Sequence, residues 1–218
     1  MKKNYDVVII GGGVQGLSLA YHLARSGLQS VAVLEKSYIG SGASGRNGEM
    51  IRSAFGSEAW IRLFDKSLEI WETLSQDLDF NVMFTKTGYL VLASTPEELA
   101  VFGANIRGQH AFGLHTRLMG PEEVAYLIPA LNPKMAAGGI FQSDGSVARH
   151  DAVVWVFAGA ARRLKVDIFS STEATGIRVK SGKIAGLSAA RDLGYGDQET
   201  EAMRDETVGL LANSYDLR

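Results

Sequence analysis

The 218-residue chain contains no cysteine. That single absence excludes disulfides, thiolate metal sites, iron–sulfur clusters, a cysteine nucleophile and a cysteine-linked cofactor. Histidine is scarce: His22, His110, His115 and His150 are scattered without HxxxH or HxxE spacing, so no metal site is expected. A basic excess is missing too. Lys and Arg number 22 against 24 Asp and Glu, a formal net charge of −2, which argues against nucleic acid or an anionic membrane as the main partner. Long apolar runs are lacking as well. Lys2 and Lys3 precede Val7–Ile10 in the manner of a signal peptide, but three glycines follow at once and polar Gln15 and His22 soon after. The run is too short for a signal core or a membrane span, and a cytoplasmic protein is expected.

What is present is enough apolar material, 46% of the residues, to build a sizeable core. The 25 glycines are numerous, and many stand in the first fifty positions. Tyr5–Ile10 is a short β-branched run suited to a strand buried on both faces of a parallel sheet. It leads into Gly11-Gly12-Gly13-Val14-Gln15-Gly16, a G-x-G-x-x-G. Leu17, Leu19, Ala20, Leu23 and Ala24 then form a helical stripe closed by Gly27. Ser30–Leu34 reads as a second strand with Glu35 at its end, 19 residues after Gly16. Gly11 permits the tight turn, Gly13 lets the backbone approach a pyrophosphate, and Gly16 lets helix and strand pack closely. The helix N-terminus offers free N–H groups to phosphate, and a carboxylate at position 35 suits ribose hydroxyls. The glycine string alone is weak evidence. Strand, turn, helix, second strand and acid together indicate a dinucleotide, FAD or NAD rather than NADP.

The loop after Glu35-Lys36 separates the two. Ser37–Gly48 is rich in glycine and serine and ends in Arg46-Asn47, followed by Glu49-Met50-Ile51-Arg52. A simple NAD domain would continue into an ordinary crossover helix. Small residues instead let backbone pass along a flavin ring. Here the chain resembles the D-amino-acid-oxidase-like (glycine/sarcosine oxidase) FAD-dependent superfamily, and within it the beta subunit of heterotetrameric sarcosine oxidase. The resemblance is carried by Tyr5–Ala24, Val31–Lys36, Gly45–Ser53, Ser67–Ala93, Gly145–Trp155 and Val166–Ile177. These stretches occur in family order.

The resemblance implies an α/β fold: a Rossmann-like FAD-binding domain, parallel sheet with flanking helices, plus part of an α+β substrate domain. It implies that Gly11, Gly13, Val14, Gln15 and Gly16 hold the pyrophosphate and Glu35 the ribose. Lys36, Ser44, Arg46, Asn47 and Met50 would line the flavin, and Ala174 would offer backbone contacts to the adenine. Arg52 stands where the family pairs an arginine with the substrate carboxylate; its planar guanidinium suits that task, although a structural ion pair is the alternative. His150, in Ala148-Arg149-His150-Asp151, matches the histidine that carries covalent FMN in the resembled subunit. Its other reading is a half-exposed neighbour of Asp151 at a helix start. The implied activity is oxidation of a sarcosine-like secondary amine or amino acid by hydride transfer to FAD, with other oxidase subunits as partners. No general base is apparent. Two further readings stay open: a truncated, non-catalytic FAD-binding or partner-binding fragment, and an NAD-dependent dehydrogenase, which the loop at 37–48 disfavours.

Helical spacing is expected over Trp60–Leu78, with Leu63, Phe64, Leu68, Trp71 and Leu74 inward. Short proline-led helices are expected at Pro96–Arg107 and Pro121–Leu127. Strands are expected at Val82–Phe84, Gly88–Ala93 and Gly138–Phe141, and the helix starting at Asp151 precedes strands at Val166–Ser170, Ile177–Val179 and Ile184–Ala189. The expected division is a first part of the FAD domain at 1–80, an inserted lobe at 81–147, a return part at 148–190 and an atypical polar tail at 191–218. The family pattern fades near Ser188, and Asp197–Tyr215 reads as one amphipathic helix with Met203, Thr207 and Leu210 or Leu211 inward. A family oxidase needs roughly twice this length, an order consistent with two domains of ordinary size.

Overall fold

The computed structural model describes residues 4–192, 198–204 and 209–212. The chain opens with β1 (Val7–Ile10), α1 (Val14–Arg25), β2 (Val31–Leu34) and β3 (Met50–Ile51). Next come α2 (Glu58–Asp77), β4 (Thr85–Lys86), β5 (Tyr89–Ala93), α3 (Pro96–Ala111), β6 (Thr116–Met119) and α4 (Pro121–Leu127). The remainder is β7 (Gly138–Gln142), β8 (Ser146–Val147), α5 (His150–Arg163), β9 (Asp167–Phe169), β10 (Thr172–Lys180), β11 (Lys183–Asp192), β12 (Gln198–Arg204) and β13 (Gly209–Ala212). Two units share these elements, one falling within Met1–Asn47 and His150–Arg218, the other Gly48–Arg149.

In the first unit four short strands form a parallel sheet in the order β13-β1-β2-β9. All four residues of β2 are buried, as a strand covered on both faces requires. Val8, Ala32 and Leu34 pack with Tyr5, Leu187 and Ala189, so the β10–β11 hairpin covers one sheet face. The other face meets α1, where Gly16 lies against Ile9. Helices α1 and α5 pack together, with the rings of Tyr21 and Phe157 5.9 Å apart. The hairpin turns at Ser181 and Gly182, with φ of 52° and 75°, the left-handed pair a tight two-residue turn demands.

The second unit holds two three-stranded sheets, β5-β7-β6 and β3-β8-β4. Pairing within both is antiparallel. Each of α3 and α4 begins with proline in its first turn followed by two glutamates, which suits the free amides and positive end of a helix start. Helix α2 buries Ile61, Leu68 and Leu74, whereas Leu63, expected inward, is 57% exposed. Strand β4 begins after Phe84, so the expected strand at 82–84 is displaced. The expected boundary at residue 80 would cut β3 and α2 from the lobe. Contacts instead keep both with it, since β3 is hydrogen-bonded to β8.

The tail departs from the sequence reading. No helix spans 197–215: Gln198–Arg204 is strand β12 on β11, and Gly209–Ala212 is strand β13 beside β1. Asp197, Thr207 and Tyr215 lie outside the described residues. The physical reason is non-local. A helical pattern of a few residues also fits a strand, and the edges of β11 and β1 each offer a row of backbone groups to pair. Strand β13 thereby takes a parallel place in the sheet for which the sequence offered no candidate.

Glycine positions yield opposite expectations. A Cβ on Gly16 would lie 2.1 Å from the Gly11 carbonyl oxygen, so Gly16→Ala should lower stability by about 1–3 kcal/mol, the usual cost of overpacking. Gly108, exposed in α3 with nothing near its missing Cβ, should gain about 0.5–1 kcal/mol on Gly108→Ala. Urea midpoints of the two variants check both signs.

Candidate nucleotide and carboxylate site

The nucleotide end is built where β1 stops. Gly11 has φ of 109°, a conformation that favours glycine, and its amide donates to the Leu34 carbonyl at 2.7 Å. The chain then turns into α1 with Gly13 as its N-cap and no side-chain cap. The Val14 amide donates to Ser44 Oγ at 2.9 Å, while Gln15 and Gly16 amides have no protein acceptor among the described residues. Two open amides at a helix start are of the kind that suits an anion.

Glu35 follows β2 and is buried, 7% exposed. Its Oε2 accepts from the Gly12 amide at 2.8 Å, and its Oε1 from the Ser37 amide at 2.9 Å and the Ser41 hydroxyl at 3.1 Å. Its own amide donates to the Phe169 carbonyl, and its carbonyl accepts from Thr172. The residue thus ties the glycine turn, the following loop and the start of β10 to one point.

A cavity of about 520 Å³ opens beside it. Gly11, Glu35, Lys36 and Ala174 line it, together with Ser41 and Thr175, which the sequence reading did not single out. Thr175 carries no sequence signal; Ser41 lies in a loop already suspected, at hydroxyl reach of an acid. Gly13, Val14, Gln15 and Gly16 occupy the adjoining turn and first helical residues. Ser44 stands in a 3-10 turn, closed by Asn47 Nδ2 donating to the carbonyls of Ala43 and Ser44 at 3.2 and 2.7 Å. Arg46 is exposed beside it and does not line the cavity. The glycines, open amides and buried acid fit a dinucleotide: backbone can approach closely, and phosphate and ribose each find suitable groups.

His150 is the first residue of α5 and half-buried. Asp151 lies inside the first turn, one residue past the helix start, and its Oδ1 accepts from the Ala152 amide at 2.9 Å. His150 is not among the residues lining the cavity. No cluster of metal-ligating side chains occurs among the described residues.

Met50 and Arg52 belong to the second unit. Met50, in β3, is 50% exposed. Arg52 is half-buried, and its guanidinium stacks 4.5 Å from the Phe55 ring centre and 5.0 Å from that of Tyr89. Its Nη1 donates to the Ala54 carbonyl at 3.4 Å. Among the described residues it has no carboxylate partner. The guanidinium is thus a planar cation held by two rings, and its paired N–H donors are of the kind that suits a carboxylate. The two rings are residues that sequence alone did not assign.

A family profile described as FAD dependent oxidoreductase (DAO) matches residues 6–208, so the family match continues past Ser188, near which the sequence pattern was expected to fade. The sarcosine oxidase beta subunit of Rhodobacter capsulatus is 37% identical over 195 residues, covering 87% of this chain and 47% of that protein. That of an Arthrobacter species is 35% identical over 198 residues, with 87% and 48% covered. The crystal structure of L-proline dehydrogenase from P. horikoshii superposes with a TM-score of 0.81 at 29% identity, covering 98% of this chain and 54% of that one. Glycine oxidase from Bacillus cereus gives a TM-score of 0.72 at 25% identity, with 85% and 53% covered. The chain spans about half the length of the relatives it matches. Among the described residues no helix is long and apolar enough to cross a membrane.

Glu35→Gln should destabilise the chain even without nucleotide. An amide replaces one oxygen by a donor, leaving a buried N–H of the turn unmatched at a cost of about 1–3 kcal/mol. Urea unfolding of the ligand-free variant measures it, and an unchanged midpoint would remove Glu35 as the tie of the loop.

Proposed function

The chain belongs to the FAD dependent oxidoreductase (DAO) family, and from that premise we propose that it supplies the cofactor-binding and carboxylate-recognising part of an amine-oxidising flavoenzyme. The substrate class is a secondary amine or amino acid of the sarcosine type. The observation that carries the reading is the meeting of Gly11, Glu35, Lys36 and Ala174 around one cavity at the start of α1.

In this reading Gly11, Gly13, Val14, Gln15 and Gly16 hold the FAD pyrophosphate through backbone amides, and Glu35 accepts from the ribose. Lys36, Ser44, Arg46, Asn47 and Met50 line the flavin, and Ala174 meets the adenine. When bound, FAD supplies a two-electron acceptor for oxidation of the amine carbon–nitrogen bond. The chain's own share is orientation. Arg52 fixes the substrate carboxylate through paired N–H donors and so sets which C–H bond is presented. No general base is assigned to any residue.

His150 is proposed as the attachment point of FMN, supported by the match of Ala148–Asp151 to the segment of the resembled subunit. The partners proposed are further subunits of such an oxidase, since the relatives are themselves named as subunits. The proposed location is the cytoplasm. A second reading, nucleotide binding without turnover, draws on the match of this chain to about half of its relatives' length.

FAD titrated into the purified chain should quench flavin fluorescence saturably, and Glu35→Ala should weaken that binding about ten- to a hundredfold, the worth of charged hydrogen bonds. Binding without amine-dependent flavin reduction selects the second reading. Quenching of NADH in place of FAD would overturn the cofactor assignment.

In an active assembly, Arg52→Met should raise KM for an amino-acid substrate about ten- to a hundredfold. An amine lacking the carboxylate should be spared. Equal losses on both substrates would remove Arg52 from carboxylate recognition.

A further inference from the structure

Among the buried polar side chains of the second unit, Ser53, Gln109, Thr116 and Gln142 have no part in the site as described so far. Gln142, 2% exposed, accepts at Oε1 from the amides of Ser53 (3.2 Å) and Ala54 (3.0 Å). Its Nε2 donates to Ser53 Oγ at 2.9 Å. Gln109 Nε2 donates to the Phe55 carbonyl at 3.1 Å, and its Oε1 accepts from Thr116 Oγ1 at 2.8 Å. Two buried amides therefore hold the three consecutive residues that follow Arg52.

Those residues are the ones on which Arg52 rests. Its guanidinium meets the Ala54 carbonyl and the Phe55 ring. The second ring over it, Tyr89, stands directly opposite Gln142 across the β5–β7 pair, and Thr116 stands opposite Gln142 on the other side in β6. Tyr89, Gln142 and Thr116 thus form one row across the sheet, on the face that carries Ser53.

We infer that Gln142 is a positioning residue for Arg52, with Gln109 in support, so that recognition of a substrate carboxylate depends on a buried amide that does not touch it. The inference rests on the proposed role of Arg52. The chemistry favours glutamine here: one oxygen can accept from two successive amides while the nitrogen donates to a hydroxyl. An apolar side chain would leave two buried N–H groups unmatched. Arginine has large rotamer freedom, and a carboxylate site gains affinity when that freedom is removed before binding.

The test uses the 218-residue chain with FAD added and acetate as the carboxylate probe, acetamide serving as the uncharged control. The Arg52 Nε–Hε resonance, identified by its loss in Arg52→Lys, is displaced by the neighbouring rings of Phe55 and Tyr89. Gln142→Met keeps the volume and removes the hydrogen bonds. It should move this resonance toward that of exposed arginines and weaken acetate binding about tenfold, with cooperative unfolding retained. Ser53→Ala, which deletes one of the three bonds, should move it the same way by less. An unmoved resonance in Gln142→Met overturns the inference, and if that variant does not fold, an unmoved resonance in Ser53→Ala does so. An Arg52 resonance in the native chain that ignores acetate overturns the carboxylate role of Arg52 instead. The resonance position without acetate still judges the positioning by Gln142.

Discussion

The first unit depends on one close approach, that of helix α1 to the end of β1. Gly16 sits so near the Gly11 carbonyl that no other residue fits there without moving backbone. That contact fixes the first turn of α1 over the strand end, with the amides of Gln15 and Gly16 open. Glu35 then takes the Gly12 amide and, through its second oxygen, the start of the following loop. The cavity beside Glu35 is a consequence of these two ties. Its walls come from four chain segments: the ends of β1 and β2, the 41–42 loop and β10.

Both units fix a loop by the same physical device. Glu35 in one and Gln142 in the other are buried polar side chains whose oxygens accept successive or converging backbone amides. Each such bond contributes only about 0.5–1.5 kcal/mol net. The larger quantity is the penalty for a mismatch at the buried amides of Gly12 and Ser53, where water does not readily replace the lost partner. Such a loop has one satisfied arrangement and many costly ones. A glycine-rich loop and a segment carrying a long cationic side chain both need that, since neither has the bulk to fix itself by packing.

What could be read from the sequence was what short-range rules govern. The glycine turn, the acid at position 35 and the proline-led helices α3 and α4 each carry a local physical cause, and they stand where that cause puts them. The tail was illegible for the opposite reason. Strands β12 and β13 exist through pairing with β11 and β1, and no local pattern separates them from a polar helix. Leu63 was assigned inward from spacing alone, but the buried line of α2 runs through Ile61, Leu68 and Leu74. Gln142 leaves a trace in the sequence. It follows Ile140 by two residues in β7, so alternation places it on a buried face, where a polar residue needs a reason.

Four positions with proposed ligand roles lie close to the two places where the chain passes between units. Asn47, Met50 and Arg52 flank one passage and His150 the other. On the side of the second unit these passages are bound together: Met50 pairs with Val147, the Ala148 amide donates to the Glu49 carbonyl at 3.3 Å, and Arg149 meets Glu49 at 3.4 Å. Glu49 adopts a φ of 60°, a strained state for a residue with a side chain, and such strain persists only where surrounding bonds hold it. The ion pair is partly exposed and adds little by itself. Its neighbours in the ladder supply the constraint. Residues 49–50 and 147–149 are thus held to each other by backbone bonds as well as by the ion pair.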